Sequence, residues 1–168
     1  NATVGTITPD GLYTAPGPSK GTTASVSVTI KATSLAVPGL SATASVTILP
    51  TCTILWTGAG GNNLWQTAAN WNTKVLPGVN DDACIGAGFN ITLSSGNQSI
   101  RSFDSDSPLT FTAGVLNIAA SSTLNHNFTL AGGLLSGTGS LTVSGQATWT
   151  SGTMSGSGTT SFNGTTMG

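Results

Sequence analysis

Gly133-Leu-Leu-Ser-Gly-Thr-Gly139 and Gly152-Thr-Met-Ser-Gly-Ser-Gly158 repeat one pattern at a spacing of 19 residues, and that spacing decides the fold. The register continues to Gly145 and Gly164, and one step upstream it sets Gly114 beside Gly133 and Leu116 beside Leu135 and Met154. Leu124, Val143 and Phe162 form a second column. A pass this short cannot bury its few apolar residues alone, so stacking one pass on the next has to supply the core. A parallel β-solenoid (β-helix) with coils of about 19 residues is therefore expected over residues 90–168, its short strands joined by Gly, Ser and Asn turns. An earlier, less regular coil is expected through Ile91 to Leu93, Ile100 to Phe103 and Leu109 to Phe111.

Composition agrees with an all-β chain. Charged residues are 5% of the total, against roughly 25% in an ordinary soluble domain, and Glu is absent. Fifty of the 168 residues are Thr or Ser and 23 are Gly. Thr fits a pleated strand, while Gly and Ser serve tight turns. No window sustains the 3.6 period of a helix. The four basic residues, Lys20, Lys31, Lys74 and Arg101, are scattered and the net charge is −1, so the concentrated basic patch that binds nucleic acid is missing. No apolar run approaches the roughly 18 residues of a membrane span, so this segment is not expected to insert. No export signal begins at Asn1, and the chain is expected to be a mature or excised piece of a secreted protein.

Residues 1–49 contain two stretches of strict alternation, Ala24-Ser-Val-Ser-Val-Thr-Ile-Lys31 and Ala42-Thr-Ala-Ser-Val-Thr-Ile-Leu49. Val and Ile on every second position mark half-buried strands. A loop with Pro38 and Gly39 predicts that they pair as an antiparallel hairpin. Gly5-Thr-Ile7 and Gly11-Leu-Tyr-Thr-Ala-Pro16 give two shorter strands around Pro9-Asp10-Gly11. The run from Gly5 to Pro16, followed by the strand to Lys31 and the last Val-Thr-Ile strand, resembles the C-terminal half of a bacterial Ig-like domain. The resemblance implies a spacer in a long surface protein, whose first strands are missing. The open edge then calls for completion by upstream chain or by another copy.

After a junction at Leu49-Pro50-Thr51 comes Trp56-Thr-Gly-Ala-Gly-Gly-Asn-Asn-Leu-Trp65, then Ala69-Asn-Trp71, Pro77-Gly78 and Asn80-Asp-Asp-Ala83. This order resembles the segment that opens β-helical regions in bacterial autotransporter-like proteins and giant surface adhesins. Residues 50–89 are accordingly expected to open and cap the solenoid, with three indoles covering a coil that has nothing stacked outside it. Cys52 and Cys84 bracket this segment. They read as a disulfide, and so as an oxidising extracellular compartment, or as two buried thiols.

Candidate chemistry is sparse. His126, in Asn125-His126-Asn127, falls where Gly145 and Gly164 recur and reads as a turn residue rather than a base or metal ligand. Asp81-Asp82 and Asp104-Ser105-Asp106 are the two carboxylate clusters and the candidates for calcium, without the spacing of a calcium loop. Arg101 is the one basic residue near them, thin support for a polysaccharide lyase. Trp149 and Trp65 are the candidates for stacking on sugar rings. The glycine run Gly58-Ala-Gly-Gly61 lacks the Lys and helix of a phosphate loop. Five N-x-S/T acceptors, at Asn1, Asn90, Asn97, Asn127 and Asn163, are close to chance at this composition. Thr123, Thr142 and Ser161 form a mixed column, which argues against the paired Thr files of an ice-binding face.

The expected function is a structural or adhesive segment of a long extracellular surface protein, without catalysis or cofactor. Copies of itself, assembled head to tail into a fibre through its unfinished ends, are the first expected partners, and surface glycans the second. A carbohydrate-binding module, or a fragment of a β-helical polysaccharide-degrading enzyme or phage tailspike, are the alternatives.

Overall fold

The computed structural model describes residues 6–14, 26–37, 39–48, 52–164 and 166–167. Lys20, Pro38, the Asn1 acceptor and the Leu49-Pro50-Thr51 junction lie outside the described residues. The chain divides into two compact units, Asn1–Thr51 and Cys52–Gly168.

In the first unit, β1 (Thr6–Ile7) pairs antiparallel with β2 (Tyr13–Thr14) across the Pro9-Asp10-Gly11 turn. β3 (Val26–Thr33) and β4 (Ser41–Ile48) form the expected antiparallel hairpin, with Val28 opposite Val46 and Ile30 opposite Ala44. Alternation puts Val28, Ile30 and Val46 on one face, where they are half-buried. Ile7, Leu12, Leu35, Val37 and Leu40 stay exposed.

The second unit is a three-faced parallel β-solenoid of about four turns. β5 (Ile54–Leu55) and β6 (Asp82–Ile85) open it. The first coil carries β7 (Ile91–Leu93), β8 (Asn97–Ile100) and β9 (Ser102–Ser105). The second carries β10 (Leu109–Phe111), β11 (Val115–Ile118) and β12 (Ser122–Leu124). β13 (Phe128–Gly137) and β14 (Leu141–Val143) make the third, β15 (Ala147–Met154) and β16 (Thr160–Phe162) the fourth, and β17 (Thr166–Met167) follows. One sheet runs β16-β14-β12-β9-β6-β5; the other two faces share the remaining strands of the unit. The opening segment therefore belongs to the same body as the repeats, because β6 pairs in parallel with β9.

The 19-residue step holds from the second coil onward: Leu109 aligns with Phe128, Leu124 with Val143 and Val143 with Phe162. Earlier the step varies, 18 from Ile91 to Leu109 and 20 from Cys84 to Asp104. Stacked inward positions make continuous apolar files. Leu93, Phe111 and Leu130 form one, and Ile91, Leu109 and Phe128 another, all within 1% of full burial. Each such side chain contributes about 1.5–3 kcal/mol by leaving water. Between these files, Thr92, Thr110, Thr129 and Thr148 form an outward file. This is a pure Thr column that the sequence spacing did not reveal, since its first step is 18.

The corner between the first two faces is built from glycine. Gly96, Gly114, Gly133 and Gly152 stack with φ of 82°, 84°, 77° and 89°, a region that side chains disfavour. A Cβ on Gly133 would sit 2.6 Å from the carbonyl oxygen of Gly114. The left-handed glycine also explains one departure from expectation. Where the sequence suggested a turn at Gly133, β13 bends and keeps its ladder on both faces.

Candidate functional surfaces

The opening coil is organised by Asn70, whose signal in the sequence was only its place between Ala69 and Trp71. Asn70 is fully buried after a short 3-10 turn, Ala68–Asn70. Its Nδ2 donates to Asn62 Oδ1 at 2.9 Å and to the Leu64 carbonyl at 3.0 Å, and its Oδ1 accepts from Gly60 N at 2.8 Å. Its own carbonyl accepts from Thr57 N at 2.7 Å. The Gly58–Gly61 run is thus a turn held by one amide side chain. Trp56 and Trp65 each meet Trp71 edge to face at 5.0 Å, and Trp71 Nε1 donates to the Trp65 carbonyl at 3.0 Å. Edge-to-face packing sets the positive ring edge against a negative face. Trp65 is completely buried. That removes it as a sugar platform: it fills the core that the cap covers.

Cys52 and Cys84 form a disulfide across 32 residues of sequence, with Cα atoms 5.6 Å apart. It ties the flank of β5 to β6 and closes the Trp-rich excursion between them.

The carboxylates turn onto protein donors. Asp81 accepts from Thr53 Oγ1 and from Gly78 N, each at 2.8 Å. Asp82 holds Arg101 in a two-point ion pair and also accepts from Ser102. Asp104 accepts from Thr123 Oγ1 at 2.6 Å and Asp106 from Asn125 Nδ2 at 2.9 Å, both one coil further on. Among the described residues no three His, Cys, Asp or Glu side chains gather as a metal site would require. The calcium candidates Asp81, Asp82, Asp104 and Asp106 serve instead as ladder and turn acceptors. His126 is an exposed turn residue, stacked below Gly145 as the spacing suggested. The described acceptors Asn90, Asn97, Asn127 and Asn163 are all exposed.

Trp149 stands in the file that continues Leu93, Phe111 and Leu130, so it belongs to the core positions rather than to an outward face. Its indole is nevertheless 46% exposed, whereas Leu130 beneath it is fully buried. Trp149 Nε1 donates to the Gly152 carbonyl at 3.4 Å, folding the ring toward the glycine corner. With Ile118, Leu135, Leu141, Met154 and Phe162 it lines a cleft of ≈ 340 Å³. This cleft is the solenoid core seen from its fourth rung.

Compared with family models, curated proteins and solved structures, the chain matches none. Its function has to be read from the geometry above.

Proposed function

We propose that this chain is a structural segment of an extracellular surface protein, a stiff β-solenoid stalk preceded by an Ig-like spacer. The observation that carries the reading is the unbroken six-strand ladder from β5 to β16, along which every coil is hydrogen-bonded to the next. A rod built this way carries load through backbone bonds in parallel along its axis. The outer Thr file and the Ser and Asn ladders, such as Ser155 to Ser136 and Asn117 to Ser99, keep its faces hydrated without charge. The disulfide supports an oxidising, extracellular location. The antiparallel pairs β1–β2 and β3–β4 support the spacer reading. Bacterial origin rests on the sequence resemblance alone, and catalysis has no part in this reading.

Single-molecule pulling tests the mechanical role. Extension of the chain is expected to require force and to proceed in steps of one coil or a few coils, as a nearest-neighbour stack unravels. Smooth extension at negligible force would overturn it. A glycan array with the wild type and Trp149→Ala tests the adhesive alternative. Binding by the wild type that Trp149→Ala abolishes would replace the stalk reading with a carbohydrate-binding module.

A further inference from the structure

We propose that the fourth rung, residues 147–162, is a self-association face on which two copies of this chain meet about a two-fold axis. The inference goes beyond the stalk reading and does not rest on it. Three inward positions show the uncovered core. Trp149 is 46% exposed above fully buried Leu130, Met154 is half-buried above Leu135 at 4%, and Phe162 is half-buried above fully buried Val143. The backbone edge is open too. Among the described strands β16 pairs only with β14, and β17 covers β15 only at Ala147 and Thr148. The stretch from Trp149 to Met154 therefore presents ladder groups and apolar side chains together.

Charge identifies the occupant as a second copy. Exposed edges are ordinarily protected from self-pairing by Lys, Asp or Glu. Residues 107–168 contain no Asp, Glu, Lys or Arg, so nothing on this face repels an identical face. The face is also the kind of surface that this chain buries at every earlier rung, where files of the same pattern cover one another.

The geometry at the opening end selects the arrangement. There the outer edge of β5 is taken: Leu55 N donates to Asn72 Oδ1, and Asn72 N to the Leu55 carbonyl, each at 2.9 Å. The outer edge of β7 is taken as well, by Thr92 N to the Asn63 carbonyl at 3.0 Å and Trp65 N to the Thr92 carbonyl at 2.9 Å. Head-to-tail stacking would have to displace this cap. A second copy instead brings its own fourth rung, and an isologous contact of that kind closes at two. The two β15 edges then run antiparallel.

Sedimentation and light scattering of the 168-residue chain across a dilution series test this. The expected result is a monomer–dimer equilibrium with no larger species. Trp149, the one exposed indole of four, should become more accessible to a quencher as the dimer dissociates. Trp149→Glu should give a monomer. Should that variant lose its fold by circular dichroism, Thr153→Lys, at an exposed position of the same edge, carries the test. It should keep the native spectrum and weaken association by about tenfold or more. A monomer at every concentration overturns the proposal, as does an open-ended series of larger species or a Thr153→Lys variant that dimerises like the wild type.

Discussion

At the scale of single residues, the account turns on positions where one side chain or its absence decides a contact. Asn70→Ala leaves the Gly60 amide, the Leu64 carbonyl and Asn62 without their partner. Unpaired buried groups cost about 1–3 kcal/mol each, so urea denaturation should show a loss of about 2–4 kcal/mol. A loss no larger than that of Thr148→Ala, a surface change expected within about 0.5 kcal/mol, would mean that Asn70 does not organise the cap. Gly133→Ala combines a disfavoured φ of 77° with a Cβ pressed against the Gly114 carbonyl. The expected cost is about 2 kcal/mol or more, against about 1 kcal/mol for Gly61→Ala, which shares the φ region but has open space around it. Equal costs would show that close stacking at the corner contributes nothing. In the first unit, the Thr8 side chain and then the Asp10 backbone hold the Asp10 carboxyl below its ordinary value. The turn gains from this above the ordinary carboxylate range and loses it as pH falls through the lowered value. An NMR titration of Asp10 that finds no lowering would contradict that contact. The sequence made the glycine stack legible because glycine recurs at a fixed step. It did not make Asn70 legible, since a buried amide hub has no period.

At the scale of elements, the repeat was readable where coils share one length and obscure where they do not. Gly133 and Gly152 announce β13 and β15, whereas the 18- and 20-residue steps around β7 and β6 hide their alignment. That irregularity also concealed the Thr92–Thr148 file. It disguised Trp149 too: the sequence left open whether its ring faced outward, and the register assigns it to the core file. The opening excursion between β5 and β6 is the least repeat-like element and is held by the disulfide. Closing a loop of 32 residues should stabilise the fold by about 3–4 kcal/mol. The double variant Cys52→Ala, Cys84→Ala should lose about that much in urea. An unchanged midpoint would show that the indole cluster alone fixes the cap.

At the scale of the whole molecule, stability is expected to come from stacked files and ladders rather than from charge. The Asp82–Arg101 pair is half exposed on its Arg side, and such pairs contribute about 0–1 kcal/mol. The urea midpoint should therefore move little between low and physiological salt; a large shift would point to electrostatics missing from this account. The central claim is that one continuous rung-to-rung stack makes a rigid axial body. Residue-resolved native-state hydrogen exchange tests it most directly, because protection reports the free energy of opening each ladder bond. The prediction is strong protection on all three faces of the two middle coils, through β10–β12 and β13–β14, falling toward β16. Protection confined to β3 and β4, with fast exchange along residues 109–143, would contradict it.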